Sequence, residues 1–210
     1  MSEIKHLIFD LGGVLLNLNY HATTIAFKKN GVNNFQKLYN QKYQIKVFND
    51  FEKGFISSQQ FLAEIGEITG LNDTQIIGSW NAMLLDLPVE RLKFIHSLKN
   101  KYQIFLLSNT NEIHIKYFEN ELDKNNHLTI FKNCFHKIYY SCRMNDRKPE
   151  STCFKKVLNE NNLMAERTLF IDDSIQHIEV AKKLGINTYL IKQNESIIDL
   201  FPDIIQQAHH

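Results

Sequence analysis

Five short apolar runs punctuate the chain, and each is closed by a polar residue. They are His6-Leu7-Ile8-Phe9 before Asp10, Gln103-Ile104-Phe105-Leu106-Leu107 before Ser108, and Lys137-Ile138-Tyr139-Tyr140 before Ser141, then Thr168-Leu169-Phe170-Ile171 before Asp172 and Thr188-Tyr189-Leu190-Ile191 before Lys192. Continuous apolar runs, without alternation, suit strands covered on both faces, as in a parallel sheet. Helical spacing separates them. Leu92, Phe94, Ile95 and Leu98 recur on one face after Pro88, and Phe154, Val157 and Leu158 follow Lys148-Pro149. Ile175, Ile178, Val180, Ala181 and Leu184 end at Gly185, a good helix stop. Alternating strands and helices predict an α/β fold with a parallel sheet.

The stretch from about Asn19 to Leu87 breaks that alternation. It has no clear strand. Phe48, Phe51 and Phe55 share a helical face, as do Phe61, Leu62 and Ile65, then Ile76, Ile77, Trp80, Leu84 and Leu85. Ser57 and Asp73 are expected as helix caps. The pattern predicts an all-helical insert, residues 19–87, within a discontinuous core of residues 1–18 and 88–210. Trp80 and the insert's Phe residues are expected as core rather than as a substrate platform.

Composition narrows the function classes. The 210 residues are 43% hydrophobic and 22% charged, ordinary for a globular protein. Lys+Arg total 24 against 23 Asp+Glu, a net charge of +1, so there is no global basic excess for nucleic acid or anionic lipid. Cys134, Cys142 and Cys153 form no CxxC pair and are expected as reduced, buried or idle thiols. No apolar run is long enough to span a membrane. The first run breaks at Asp10, so no secretory leader is expected, and the location expected is cytoplasmic.

In an open parallel sheet, ligands bind beyond the carboxyl ends of the strands. There the sequence places Asp10-Leu11-Gly12-Gly13, Ser108-Asn109-Thr110-Asn111, Arg147-Lys148-Pro149-Glu150 and Asp172-Asp173-Ser174. Each has a bland reading alone, as a turn, a helix cap or a solvated Lys. Together they gather three carboxylates, a hydroxyl and an ammonium around one crevice. Three close carboxylates repel one another unless a cation lies among them.

With these four motifs in order, the sequence resembles the haloacid dehalogenase-like (HAD) superfamily over nearly its whole length. Motif one is Ile8-Phe9-Asp10-Leu11-Gly12-Gly13-Val14, motif two Leu106-Leu107-Ser108-Asn109, motif three Lys148-Pro149 and motif four Phe170-Ile171-Asp172-Asp173. The insert sits where that family carries its helical C1 cap. The resemblance looks closest to the bacterial alpha-D-glucose-1-phosphate phosphatase group, which shares Gly two residues after the Asp, Ser-Asn-Thr-Asn, Arg-Lys-Pro-Glu and a segment like Glu52-Lys53-Gly54-Phe55-Ile56-Ser57. It implies a Rossmann-like α/β core and a Mg2+-dependent phosphatase acting on a small phosphorylated metabolite, plausibly a sugar phosphate. It also implies the roles. Asp10 is the nucleophile that becomes an aspartyl-phosphate. Asp10, the Gly12 carbonyl and the Asp172/Asp173 pair hold Mg2+. Ser108, the Asn109 amide and Lys148 bind the phosphoryl group, and Lys148 also neutralises Asp10.

Two positions depart from the family's commonest pattern. Gly12 stands where a second Asp usually protonates the leaving group, help typically worth about 10²- to 10⁴-fold. Another group must then supply the proton: a substrate hydroxyl, a water, or a cap residue such as Asn49, Asp50 or Glu52. Asn145 replaces a Gly three residues before Lys148, and Asn tolerates the left-handed backbone best after Gly. Two rival readings accompany the phosphatase: a metal-independent haloacid dehalogenase, which also lacks the second Asp, and a catalytically weak phosphate- or partner-binding module. His114 and His177 follow motifs two and four and are expected on helix surfaces.

Overall fold

The computed structural model describes residues 3–40, 43–192, 195–199 and 201. The chain opens with β1 (His6–Phe9) and then enters the insert. There it forms α1 (Tyr20–Lys29), β2 (Tyr39–Asn40), β3 (Tyr43–Gln44), α2 (Lys46–Glu52), α3 (Ser58–Thr69) and α4 (Asp73–Asn81). Then follow α5 (Val89–Leu98), β4 (Gln103–Ser108), α6 (Glu112–Lys124), α7 (Leu128–Asn133), β5 (Lys137–Tyr140) and α8 (Ser141–Met144). The last are α9 (Ser151–Glu160), β6 (Thr168–Asp172), α10 (Ile175–Lys183) and β7 (Asn187–Leu190). Among the described residues no helix is long and apolar enough to cross a membrane.

The five apolar runs form one parallel sheet in the order β5-β4-β1-β6-β7. Register aligns the chemistry. Phe9 lies between Leu106 and Ile171, so Asp10, Ser108 and Asp172 all emerge at the same edge. The sheet divides its side chains by the two-residue period of a strand. Leu7, Phe9, Ile104, Leu106, Leu169 and Ile171 face one apolar layer; Ile8, Phe105, Leu107 and Phe170 face the other. Both faces are therefore covered, which is why the strand sequences are continuous rather than alternating.

The first of those layers continues into the insert, where Phe27, Phe35, Phe48, Phe51, Phe61 and Trp80 are buried together. Phe27 stacks on Phe35 with ring centroids 3.8 Å apart, and Phe51 on Phe61 at 4.2 Å. Phe55 is the exception to the expected aromatic core, at 58% exposure. The all-helical insert expected from the sequence is corrected by β2 and β3, which pair antiparallel within it. Two-residue strands are too short to leave a readable period. Ser57 does cap α3, in a reciprocal capping box with Gln60. The cap of α4 is Asn72, paired with Gln75, one residue before the expected Asp73.

The insert meets the core through a tight seam. Lys53 pairs with Glu150 at 2.5 Å, and Asn145 donates to the Lys53 carbonyl at 3.0 Å. Asn145 holds the left-handed conformation its sequence position required (φ 55°). Gly54 (φ +67°) approaches the Cys142 carbonyl so closely that a Cβ there would lie 1.9 Å from the oxygen. Gly31 is also left-handed (φ +94°) but faces open space. We therefore expect Gly31→Ala to cost only the backbone penalty, about 1 kcal/mol. Gly54→Ala should cost at least about 3 kcal/mol, because the seam must open as well. Paired urea denaturation curves compare the two, and equal midpoints would refute the close approach.

Candidate active site

The site assembles from three strand ends and one loop. Asp10 follows β1, Ser108 closes β4, Asp172 closes β6, and Lys148 enters from the segment between α8 and α9. The Lys148 ammonium lies 2.8 Å from Asp10 Oδ1 and 2.7 Å from Asp172 Oδ2. Lys148 is fully buried. An ammonium out of water costs several kcal/mol unless paired, and here two carboxylates pair it. Its position is set by a backbone clamp: Asn109 Nδ2 donates to the Lys148 carbonyl at 2.7 Å, and the Lys148 amide donates to Asn109 Oδ1 at 2.9 Å. The neighbouring strand ends are locked likewise, because Ser141 Oγ accepts from the Thr110 amide and donates to the Thr110 carbonyl, both at 2.9 Å.

The three carboxylates are close but not equivalent. One oxygen from each of Asp10, Asp172 and Asp173 lies within 4.8 Å of the others, and Asp173 is the exposed member. Asp172 is saturated by donors: Lys148, the Ser174 amide at 2.8 Å and His177 Nδ1 at 2.9 Å. Burial pushes the Asp172 carboxyl up, but Lys148 and His177 outweigh it and hold it at about 2. Among the described residues, Asp10 has Lys148 alone as its side-chain partner. Burial pushes it up, Lys148 pulls it back, and the charges of Asp172 and Asp173 leave it at about 7. Asp173 is raised to about 6 by burial and by Asp172. Burial is the larger cause of both shifts, and three carboxylates against one ammonium add a negative charge that a divalent cation would offset. Oxygen-only donors in a part-open cluster suit Mg2+, which binds through one or two carboxylates and keeps waters and a phosphate in its shell.

A cavity of about 330 Å³ opens above the cluster, lined by Asp10, Gly12 and Asp173 from the core and by Tyr20, Tyr39 and Glu52 from the insert, among others. At Gly12 a Cβ would lie 2.6 Å from Leu18 Cδ1, so the space for a longer side chain is already filled by an apolar one.

All the sequence-picked residues, Asp10, Gly12, Ser108, Asn109, Lys148, Asp172 and Asp173, fall at this one edge. His177, expected on a helix surface, instead hydrogen-bonds Asp172, one turn along α10 from the end of β6. Arg147 and Glu52, 3.1 Å apart across the seam, also line the cavity. An intermittent signal was present, since Arg147 adjoins Lys148, but no spacing rule joins residue 52 to residue 147. The three cysteines are free and buried.

His114 is also buried, contrary to the expected surface position. Its ring stacks on Trp80 with centroids 4.8 Å apart, and its Nε2–H donates to the Trp80 carbonyl at 3.2 Å. Burial pushes its pKa down from 6.5 to about 4. The unfolded chain therefore takes up a proton between those values that the folded chain refuses, and stability falls as pH drops through that window. The expected loss is on the order of 3 kcal/mol between pH 7 and pH 4. In His114→Phe, which keeps a ring against Trp80, that component should vanish. Urea midpoints at pH 7 and 4.5 for both proteins check it; equal pH slopes would sink the assignment.

A family model described as haloacid dehalogenase-like hydrolase matches residues 7–191. A wild-type HAD family enzyme from Bacteroides thetaiotaomicron, solved in complex with magnesium and inorganic phosphate, is 37% identical. That match covers 94% of this chain and 99% of the other, with a TM-score of 0.83. A HAD-like family hydrolase structure from Porphyromonas gingivalis is 30% identical over 98% of this chain and 99% of its own, with a TM-score of 0.86. A D-ribitol-5-phosphate phosphatase of Bacteroides thetaiotaomicron is 26% identical over 188 residues, 89% of this chain and 91% of its length.

Proposed function

The chain belongs to the haloacid dehalogenase-like hydrolase family, and on that premise we propose that it is a Mg2+-dependent phosphomonoesterase for a small sugar or sugar-alcohol phosphate. The observation that carries the reading is Lys148, fully buried between Asp10 and Asp172, with Asp173 completing an oxygen donor set. The similarity to a D-ribitol-5-phosphate phosphatase, and to an enzyme that holds magnesium and phosphate, supports the substrate class. In this reading residues 1–18 and 88–210 form the catalytic core and residues 19–87 the cap that closes over it.

The geometry supports the following roles. Asp10 is the nucleophile: its carboxylate attacks phosphorus as the ester oxygen departs, giving an aspartyl-phosphate that water then hydrolyses. Lys148 neutralises Asp10 and the phosphoryl oxygens, while Ser108 and the Asn109 amide donate to those oxygens. Asp10, the Gly12 carbonyl and Asp173 would hold Mg2+, with Asp172 committed mainly to Lys148 and His177. The ion would supply positive charge against the phosphoryl oxygens and fix their orientation. Positioning and charge of this kind supply most of the rate in phosphoryl transfer. A metal-free dehalogenase gains little from the paired carboxylates Asp172 and Asp173, and the retention of Asp10, Ser108, Lys148 and both of those carboxylates argues against a non-catalytic module.

A panel of sugar phosphates, sugar-alcohol phosphates, nucleotides and phosphoamino acids tests the reading. We expect turnover with Mg2+, highest kcat/KM on a sugar or sugar-alcohol phosphate, and a loss of at least about 10²-fold in EDTA. Halide release from 2-haloacids in EDTA, or no phosphate release across the panel, would overturn it.

A further inference from the structure

With Gly12 at the usual acid position, the proton for the leaving group must come from elsewhere, and the cavity wall narrows the choice. Three cap residues stand near. Asn49 Oδ1 is occupied by Arg147 Nη1 at 3.2 Å, and an amide is no acid. Asp50 is paired with Lys46 four residues earlier on α2. Neither lines the cavity above Asp10. Glu52 does, beside Gly12 and Asp10, and it is itself buried at 7% exposure.

The hydrogen bonds of Glu52 are asymmetric. Arg147 Nη1 lies 3.1 Å from Oε2, and Gln44 Nε2 donates to the same oxygen at 3.3 Å. Among the described residues Oε1 has no donor. With Oε2 engaged as an acceptor, Oε1 is the oxygen open to give or take a proton. Tyr20 lines the same cavity wall and feels the charges of Asp173, Asp10 and Glu52. The groups that face Glu52 are Arg147, Gln44, Tyr39 and Tyr20. Burial pushes its carboxyl up, Arg147 and Gln44 pull it down, and the balance stays above the ordinary value. An arriving phosphate dianion pushes it further the same way.

We propose that Glu52 is the catalytic acid and base of this hydrolase, taking from the cap the role that Gly12 cannot fill. The proposal rests on the phosphatase reading above. In the first step the Asp10 oxygen bonds to phosphorus, the ester P–O bond breaks, and the proton on Glu52 Oε1 passes to the departing oxygen, releasing an alcohol. In the second, water bonds to phosphorus, the Asp10–phosphorus link breaks, and the water's proton returns to Glu52. The charge left on Glu52 between the steps is held by Arg147.

The test is leaving-group dependence. A sugar-alcohol phosphate needs its leaving oxygen protonated, whereas p-nitrophenolate departs without a proton. Glu52→Gln keeps an acceptor for Arg147 and Gln44. It should lower kcat/KM on the alkyl phosphate by about 10²- to 10⁴-fold, and on p-nitrophenyl phosphate by at least about tenfold less. With the nitrophenyl ester it should show a burst of product equal to the enzyme present, because the second step lacks its base. Glu52→Asp, which retains a carboxyl, should recover part of the alkyl rate. Equal losses on both esters, or a change in KM alone, would overturn the proposal and leave Glu52 a binding or packing residue. Wild-type protein inactive on both esters would refute the phosphatase reading itself.

Discussion

Asp10→Asn is expected to abolish turnover, with kcat reduced at least about 10⁴-fold, while the protein remains folded. The substitution keeps the shape of the side chain and removes the attacking oxygen's charge. No neighbour can take over. Asp172 is held by Lys148, His177 and the Ser174 amide, and Asp173 lies at the exposed edge of the cluster. Stability should move little, and in the expected direction upward. The Asp10 carboxyl is lifted from 3.8 to about 7, so above pH 4 the metal-free folded state holds its charge less readily than the unfolded chain does. Removing that charge relieves the repulsion from Asp172 and Asp173 while leaving Lys148 its pair with Asp172. Initial rates with Mg2+ and a thermal melt in EDTA, both at pH 8, measure the two halves. A variant that keeps even 10% of wild-type kcat would remove Asp10 as the nucleophile.

The positions of these residues in the fold were legible in the sequence because each strand is buried on both faces. Continuous apolar runs therefore ended at the polar residue that enters the crevice, as Phe9 gives way to Asp10 and Ile171 to Asp172. Register then did the rest, since parallel pairing through Phe9, Leu106 and Ile171 brings three strand ends level. What the sequence did not disclose are contacts between segments remote in the chain. Glu52 and Arg147 are 95 positions apart and meet only because the insert folds back over the sheet edge. His177 lies near motif four in sequence, but a histidine in the first turn of a helix is compatible with solvent as readily as with Asp172. His114 has no apolar signature, yet it is buried because Asn111 caps its helix and Trp80 packs on its ring. The β2–β3 pair has no period to read, and at α4 both Asn72 and Asp73 are good cap types, so only the bond that the Gln75 amide donates to Asn72 Oδ1 decides.

Lys148→Met is expected to cost both activity and stability, and the stability loss tells most about how the site is built. Methionine keeps a flexible apolar stem of similar length in the fully buried slot, beside the Phe170 ring that the ammonium now approaches at 5.4 Å. What it removes is the charge between Asp10 and Asp172, at 2.8 and 2.7 Å. Breaking a buried pair by deleting one partner typically costs about 3–5 kcal/mol, because the other charge is left uncompensated. Here two are left, although His177 and the Ser174 amide still support Asp172. The loss should therefore fall in that range at pH 8 and shrink as pH drops and Asp10 takes up a proton. Mg2+ stabilises any folded state it binds by an amount that grows with affinity. With Lys148 gone, the freed carboxylates attract the ion more strongly, so added Mg2+ should raise the Tm of the variant more than that of the wild type. Activity should stay at least about 10²-fold down even at saturating Mg2+, because the ion cannot stand where the ammonium met the phosphoryl oxygens. Thermal melts with and without Mg2+ at pH 8 and pH 6 separate these effects. A variant as stable as wild type in EDTA at pH 8 would show that Lys148 does not bear the charge of the cluster.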